Sequence, residues 1–158
     1  MSTAISPRPR FVGGKRKFTI VASQFNPEFV QGLVNHATEE LRALVPAAEI
    51  TLHQVPGAFE IPIVVRELAA QKKADAILAL GVILKGKTGH AENLARSVTD
   101  ALQRIAIEHG VPVINAVLSL NHEIEARERC LEKKINRGIE AARAAVEISN
   151  VMNDLREK

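Results

Sequence analysis

Hydrophobic and polar positions follow two periods along this chain. Residues 17–22 form a short β-rich run that stops at Ser23-Gln24-Phe25-Asn26-Pro27, where Asn26 is placed to cap a helix and Pro27 to open it. Val30, Leu33, Val34, Ala37, Leu41 and Leu44 then recur at helical spacing until Pro46 ends the run. Residues 50–55 read as a second strand closed by Pro56-Gly57, and residues 61–70 return to the helical period with Pro62 in the first turn, where a helix tolerates it. Residues 76–84 are unbroken apolar, the pattern of a strand covered on both faces. A helix over about residues 91–109 carries Leu94, Val98, Ala101, Leu102 and Ile105; residues 111–118 form a fourth strand, and the remainder is helical with a break near Asn136-Arg137-Gly138.

Strands alternating with helices imply parallel pairing, right-handed crossovers and helices on both faces. The expected fold is therefore α/β, a three-layer α/β/α sandwich on a four-stranded parallel sheet. It is one domain over residues 17–158, preceded by a flexible basic tail at 1–16. The last helix carries two apolar stripes, Ile139, Ala142 and Val146 on one side and Ala144, Ile148, Val151 and Leu155 on another, so it is expected to pack against two partners. One of these is expected to be another subunit.

Composition narrows the function. With 46% hydrophobic and 25% charged residues, the 158-residue chain reads as an ordinary globule, neither disordered nor membrane-embedded; its longest strongly apolar run, nine residues, is far short of the ~20 that span a bilayer. The formal charge of +3 suggests a polyanion partner only until it is located. Arg8, Arg10, Lys15, Arg16 and Lys17 all precede residue 18, leaving sixteen bases against eighteen acids in the body. Aromatics are 3%, with no Trp or Tyr, so a base-stacking platform is not expected and neither is a nucleic-acid partner. Cys130 is the single cysteine, which excludes an internal disulfide and a cysteine-based zinc site; the cytoplasm is the expected compartment.

Ligands of an open parallel sheet bind beyond the carboxyl ends of its strands, so the segments after residues 22, 55, 84 and 118 hold the candidate chemistry. Lys85-Gly86-Lys87-Thr88-Gly89-His90 offers glycines, two ammonium groups, a hydroxyl and free amides at a helix start, the parts of a phosphate cradle without Walker spacing. The same residues also read as a glycine-rich turn with solvated lysines. His90, at the N-terminal end of the following helix, is a candidate for proton transfer, or it is a polar capping residue. Phe59 and Glu60, held between Pro56 and Pro62, suit a flat ring with hydroxyls; the alternative puts Phe59 in the core, and Phe25 poses the same choice. Arg129 and Lys133, one helical turn apart, face either one anion or, with Glu125, a salt-bridged surface. His36, His53, His109 and His122 show no metal-site spacing, and no metal is expected.

Phe25-Asn26, Pro56-Gly-Ala-Phe-Glu-Ile-Pro62, Gly81-Val-Ile-Leu-Lys-Gly-Lys-Thr-Gly-His90, Pro112-Val113, Val117-Leu-Ser119 and Glu128-Arg129 resemble the lumazine synthase family in order and spacing, from about residue 17 to the C-terminus. The resemblance implies a flavodoxin-like sheet and a cofactor-independent transferase of riboflavin biosynthesis. Such an enzyme condenses 5-amino-6-(D-ribitylamino)uracil with 3,4-dihydroxy-2-butanone 4-phosphate and releases phosphate and water. It implies that Phe25 stacks on the pyrimidine, Ala58, Phe59 and Glu60 line the ring and ribityl site, and Val82, Ile83 and Leu84 offer backbone groups to the ring. Lys87, Thr88 and Arg129 would hold the phosphate, and His90 would transfer protons.

It further implies a homo-oligomer built from pentamers, free or packed as decamers or icosahedral 60-mer capsids, with Asn115 and Arg129 reaching the site of a neighbour, and riboflavin synthase as a pathway partner. Asn115 stands where the family has an aromatic, Ser119-Leu120 replaces a Thr-Thr pair, Arg137 replaces a lysine, and Ala91 and Asn93 replace aromatics. A riboflavin synthase on the same scaffold is disfavoured, since it has no need of Lys87, Thr88 and Arg129 as a phosphate cradle. A non-catalytic flavin-binding or shell protein is the alternative from another class.

Overall fold

A computed structural model describes residues 2–157. Its strands are β1 (Lys17–Ser23), β2 (Glu49–Val55), β3 (Ala76–Leu84) and β4 (Val113–Leu120), all parallel in the order β2-β1-β3-β4. Helices α1 (Pro27–Leu44), α2 (Ile61–Gln71) and α3 (His90–His109) are the crossovers between them. A short α4 (Glu123–Ala126) runs into a π turn (Arg127–Leu131), and α5 (Arg137–Arg156) closes the chain.

The period of two in each strand sorts the core onto both faces. Phe18, Ile20, Ala22, Leu78, Leu80 and Val82 pack under α1 and α5, whereas Val21, Ile77, Ala79 and Ile83 pack under α2 and α3. The expected three-layer α/β/α sandwich with a flavodoxin-like sheet is therefore what the chain forms.

Two boundaries differ from expectation. β4 begins and ends two residues later than 111–118, because Pro112 has no N–H for the ladder and only its carbonyl joins, accepting from Ile77 N at 2.9 Å. The ladder then continues through Ser119 opposite Ile83 and Leu120 opposite Leu84. The break before the last helix, expected near residues 136–138, covers 132–136, with Asn136 as the cap: its Oδ1 accepts from Ile139 N at 3.0 Å and its Nδ2 donates to Glu132 O at 2.8 Å.

The basic segment ahead of β1, expected to be a flexible tail, meets the body at several points. Val12 N–H donates to Leu44 O, Arg8 bonds both oxygens of Glu40, and Arg16 bonds Ser149 and Asn150. Of the two stripes on α5, the side bearing Ala142 and Val146 is buried, while Val151 and Leu155 are exposed.

Candidate active site

The order of the sheet reverses between β1 and β3, and an open parallel sheet leaves a ligand crevice at the carboxyl end of such a junction. Here the crevice opens because the β1–β3 ladder stops at Ala22 and Leu80, while β3 runs on to Leu84 with only β4 beside it. The loops after β1 and β2 are tied across it. Gln24 N–H donates to Pro56 O at 3.2 Å, and a Cβ on Gly57 would lie 3.1 Å from two ring carbons of Phe25, so the ring rests on the Gly57 backbone. Glu60 Oε1 accepts from Gly57 N–H at 2.9 Å, fixing the carboxylate within a single 3-10 turn, Ala58–Glu60.

Neither Phe25 nor Phe59 is core: they are 69% and 68% exposed, which removes the structural alternative posed by the sequence. Phe25 lies over the crevice, whereas Phe59 lines a 420 Å³ groove with Pro62, Ile63, Arg66 and Val98 between α2 and α3. Ala58, Val82 and Ile83 are buried and Leu84 partly so.

From the end of β3 the chain enters the 85–89 loop, anchored by Lys85 N–H on Leu120 O at 2.9 Å. Lys87, Thr88 and His90 are exposed. His90 is the first residue of α3, and its N–H points to Thr88 Oγ1 at 3.4 Å. Lys85 Nζ lies 3.7 Å from Glu92. A helix start, a hydroxyl and Lys87 thus form an open cationic rim able to take an anion.

Asn115 and Arg129 come from β4 and from the π turn that follows it. Asn115 sits within β4 opposite Ala79, five residues or about 16 Å of strand before its carboxyl end. Its amide donates to Thr99 Oγ1 at 3.1 Å and accepts from Val117 N at 3.0 Å. Arg129 is buried in the π turn packed on α1, with Glu128 at 3.8 Å. Lys133 does not share a helix face with Arg129, since the helical run ends at Leu131; Glu125 Oε1 accepts from the N–H groups of Asn121 and His122.

Asn26 departs from its expected role. It takes a left-handed backbone (φ 57, ψ 56), its side chain caps nothing in α1, and its Nδ2 donates to Val82 O at 2.8 Å. Ser23 was also missed: a Cβ on Gly81 would lie 2.8 Å from its Oγ, so this glycine admits the Ser23 hydroxyl against β3, a reading that an isolated glycine within an apolar strand permits.

Cys130 is no nucleophile. Burial pushes its thiol up to about 12, with the Arg129 charge offsetting only part of that shift. Among the described residues no cluster of three or more His, Cys, Asp or Glu side chains could hold a metal ion, and no helix is long and apolar enough to cross a membrane.

A family model described as 6,7-dimethyl-8-ribityllumazine synthase matches residues 15–153. The chain is 40% identical over 144 residues, 90% of its length and 91% of the relative's, to the 6,7-dimethyl-8-ribityllumazine synthase of Leptothrix cholodnii.

Proposed function

Because the chain belongs to the 6,7-dimethyl-8-ribityllumazine synthase family, we propose that the crevice between β1 and β3 is where 5-amino-6-(D-ribitylamino)uracil meets 3,4-dihydroxy-2-butanone 4-phosphate. The protein is a transferase of riboflavin biosynthesis that forms the lumazine from these two substrates. The observation that carries the site is the meeting of an exposed Phe25, a Gly57-held Glu60, the free end of β3 and the His90 loop at one sheet edge.

An amine and a ketone condense without a protein nucleophile, so the chain's task is proximity, anion binding and proton movement. Phe25 stacks on the pyrimidine, the free end of β3 at Val82, Ile83 and Leu84 lies along its edge with the Leu84 backbone groups turned to it, and Ala58 and Phe59 flank the ring and ribityl site. Glu60 has Oε1 held by Gly57, leaving Oε2 to accept from ribityl hydroxyls. Lys87, Thr88 and Arg129 bind the phosphate. His90 delivers a proton to the departing carbinolamine hydroxyl as the imine forms, regains one from the carbon next to the imine, and passes it on as the phosphate departs from the carbon beyond.

Asn115 and Arg129 serve the crevice of a neighbouring copy in a homo-oligomer built from pentamers, alone or in decamers or a 60-mer shell. That placement is supported for Asn115 by its position five residues before the carboxyl end of β4, and more generally by the exposed Val151 and Leu155 on α5. The enzyme works in the cytoplasm and hands its product to riboflavin synthase.

A steady-state assay following lumazine and phosphate against an enzyme-free blank tests the reading. Stoichiometric formation of both above the blank is expected; no acceleration overturns it. His90→Ala is expected to slow turnover by less than the about 10²–10⁴-fold that general acid–base catalysis commonly supplies, because the condensation has an uncatalysed background.

A further inference from the structure

We infer that Asn26 is a positioning residue for the pyrimidine side of the site, its side-chain amide holding the Val82 carbonyl and with it the end of β3 against the loop that carries Phe25. This rests on the functional reading above.

Peptide groups of a strand face its two neighbours alternately. Lys85 N–H bonds Leu120 O on the β4 side, so Ile83 also faces β4, while Val82 and Leu84 face the side that β1 has left. Once the β1–β3 ladder ends at Ala22 and Leu80, the Val82 carbonyl has no strand to accept from, and an unpaired buried carbonyl is destabilising. Asn26 Nδ2 reaches it at 2.8 Å.

The residue's conformation supports the assignment. Asparagine is among the few residues that tolerate the left-handed region, and at a helix start its side chain ordinarily caps the first turn. Here it forgoes that cap and turns back to β3. One bond therefore sets two ligand-facing elements: the Phe25 ring, one residue before Asn26, and the Leu84 N–H and carbonyl, two residues beyond Val82, which are the next backbone groups to face the crevice. A uracil-type ring, with amide-like donors and acceptors on its edge, matches such a backbone pair.

Two variants separate the amide from the backbone. Asn26→Asp keeps the size and left-handed tolerance but cannot donate; Asn26→Gly keeps the backbone freedom and loses the side chain. Both are expected to raise KM for the ribitylaminouracil about tenfold, the worth of one hydrogen bond, and to leave KM for the butanone phosphate nearly unchanged. Hydrogen–deuterium exchange of residues 80–86 in the resting protein is expected to quicken in both. A glycine variant with wild-type KM would reduce Asn26 to a turn residue and overturn the inference, as would an equal rise in both KM values. If the wild type itself shows no turnover, the synthase reading falls and exchange alone decides: unchanged exchange in Asn26→Asp then refutes the positioning role.

Discussion

Phe18 and Phe29 are buried, whereas Phe11, Phe25 and Phe59 stand 65%, 69% and 68% exposed. An aromatic left in water forfeits the stabilisation that burial brings, so a position over a crevice or groove is a statement about ligands or neighbours. The two environments predict opposite outcomes. Phe18→Ala empties a fully buried site and is expected to cost about 3–5 kcal/mol in chemical denaturation, whereas Phe25→Ala leaves no cavity and stays within about 0.5 kcal/mol of wild type. Phe25→Ala instead raises KM for the ribitylaminouracil, and a marked loss of stability would show its ring to be structural. At this scale the placement of Glu60, Lys87, Thr88 and His90 just beyond β2 and β3 was legible, because strand ends dictate where loop residues gather. The partner of Asn26 was not, since Val82 lies 56 residues away and no local pattern pairs them.

Elements were legible wherever a period ran uninterrupted, as in β3, whose nine residues coincide with the apolar run. They were misread where one residue had two explanations. Ser119 reads as the polar end of a strand, yet it lies inside β4 with its hydroxyl buried and lacking a hydrogen-bond partner among the described residues. Gly138 reads as a helix breaker, yet it sits in the first turn of α5 because a Cβ there would lie 2.5 Å from Leu33 O on α1. Gly32 lies on α1 itself, where a Cβ would lie 2.5 Å from Cys130 O in the π turn. Backbone oxygens cannot swing aside as side chains do, so Gly32→Ala is expected to destabilise by about 1–3 kcal/mol. It should also disturb Arg129, one residue from Cys130, and raise KM for the butanone phosphate. Gly86→Ala, where a Cβ meets nothing within 4 Å, is the control and should melt as wild type does. Matching melting curves for Gly32→Ala and Gly86→Ala would mean that α1 and the π turn are not held at that spacing.

Glu40 on α1 joins three parts of the molecule that the strand and helix pattern treats separately. Arg8 of the N-terminal segment bonds both of its oxygens, at 2.8 and 3.1 Å, and Arg143 of α5 bonds Oε2 at 2.6 Å while also donating to Ser6 O at 2.6 Å. Nothing in the basic run before β1 reveals this, because a cation on a Pro-rich segment reads as solvated until an acid from another element is folded beside it. Burial is the largest single influence on the Glu40 carboxyl and pushes it up, but the bonds and charges of Arg8 and Arg143 together outweigh burial and hold it below its ordinary value of 4.5. A carboxyl depressed in the folded state contributes stability above its unfolded value and loses that contribution as pH falls through the folded one. Glu40→Gln keeps the volume and removes the charge, so at pH 7 it is expected to cost about 2 kcal/mol, a fall in Tm of roughly 4–8 °C for a chain of this length. The gap between variant and wild type should begin to narrow near pH 4.5 and close once the wild-type carboxyl is itself protonated. Arg143→Ala should cost more than Arg8→Ala, since the Arg143 side chain is 18% exposed and that of Arg8 is 45%, and solvent screens the more exposed partner. Thermal melts of the four proteins across this pH range measure all three effects. A gap that stays constant down to pH 3 would show that the clasp acts through shape and not through charge.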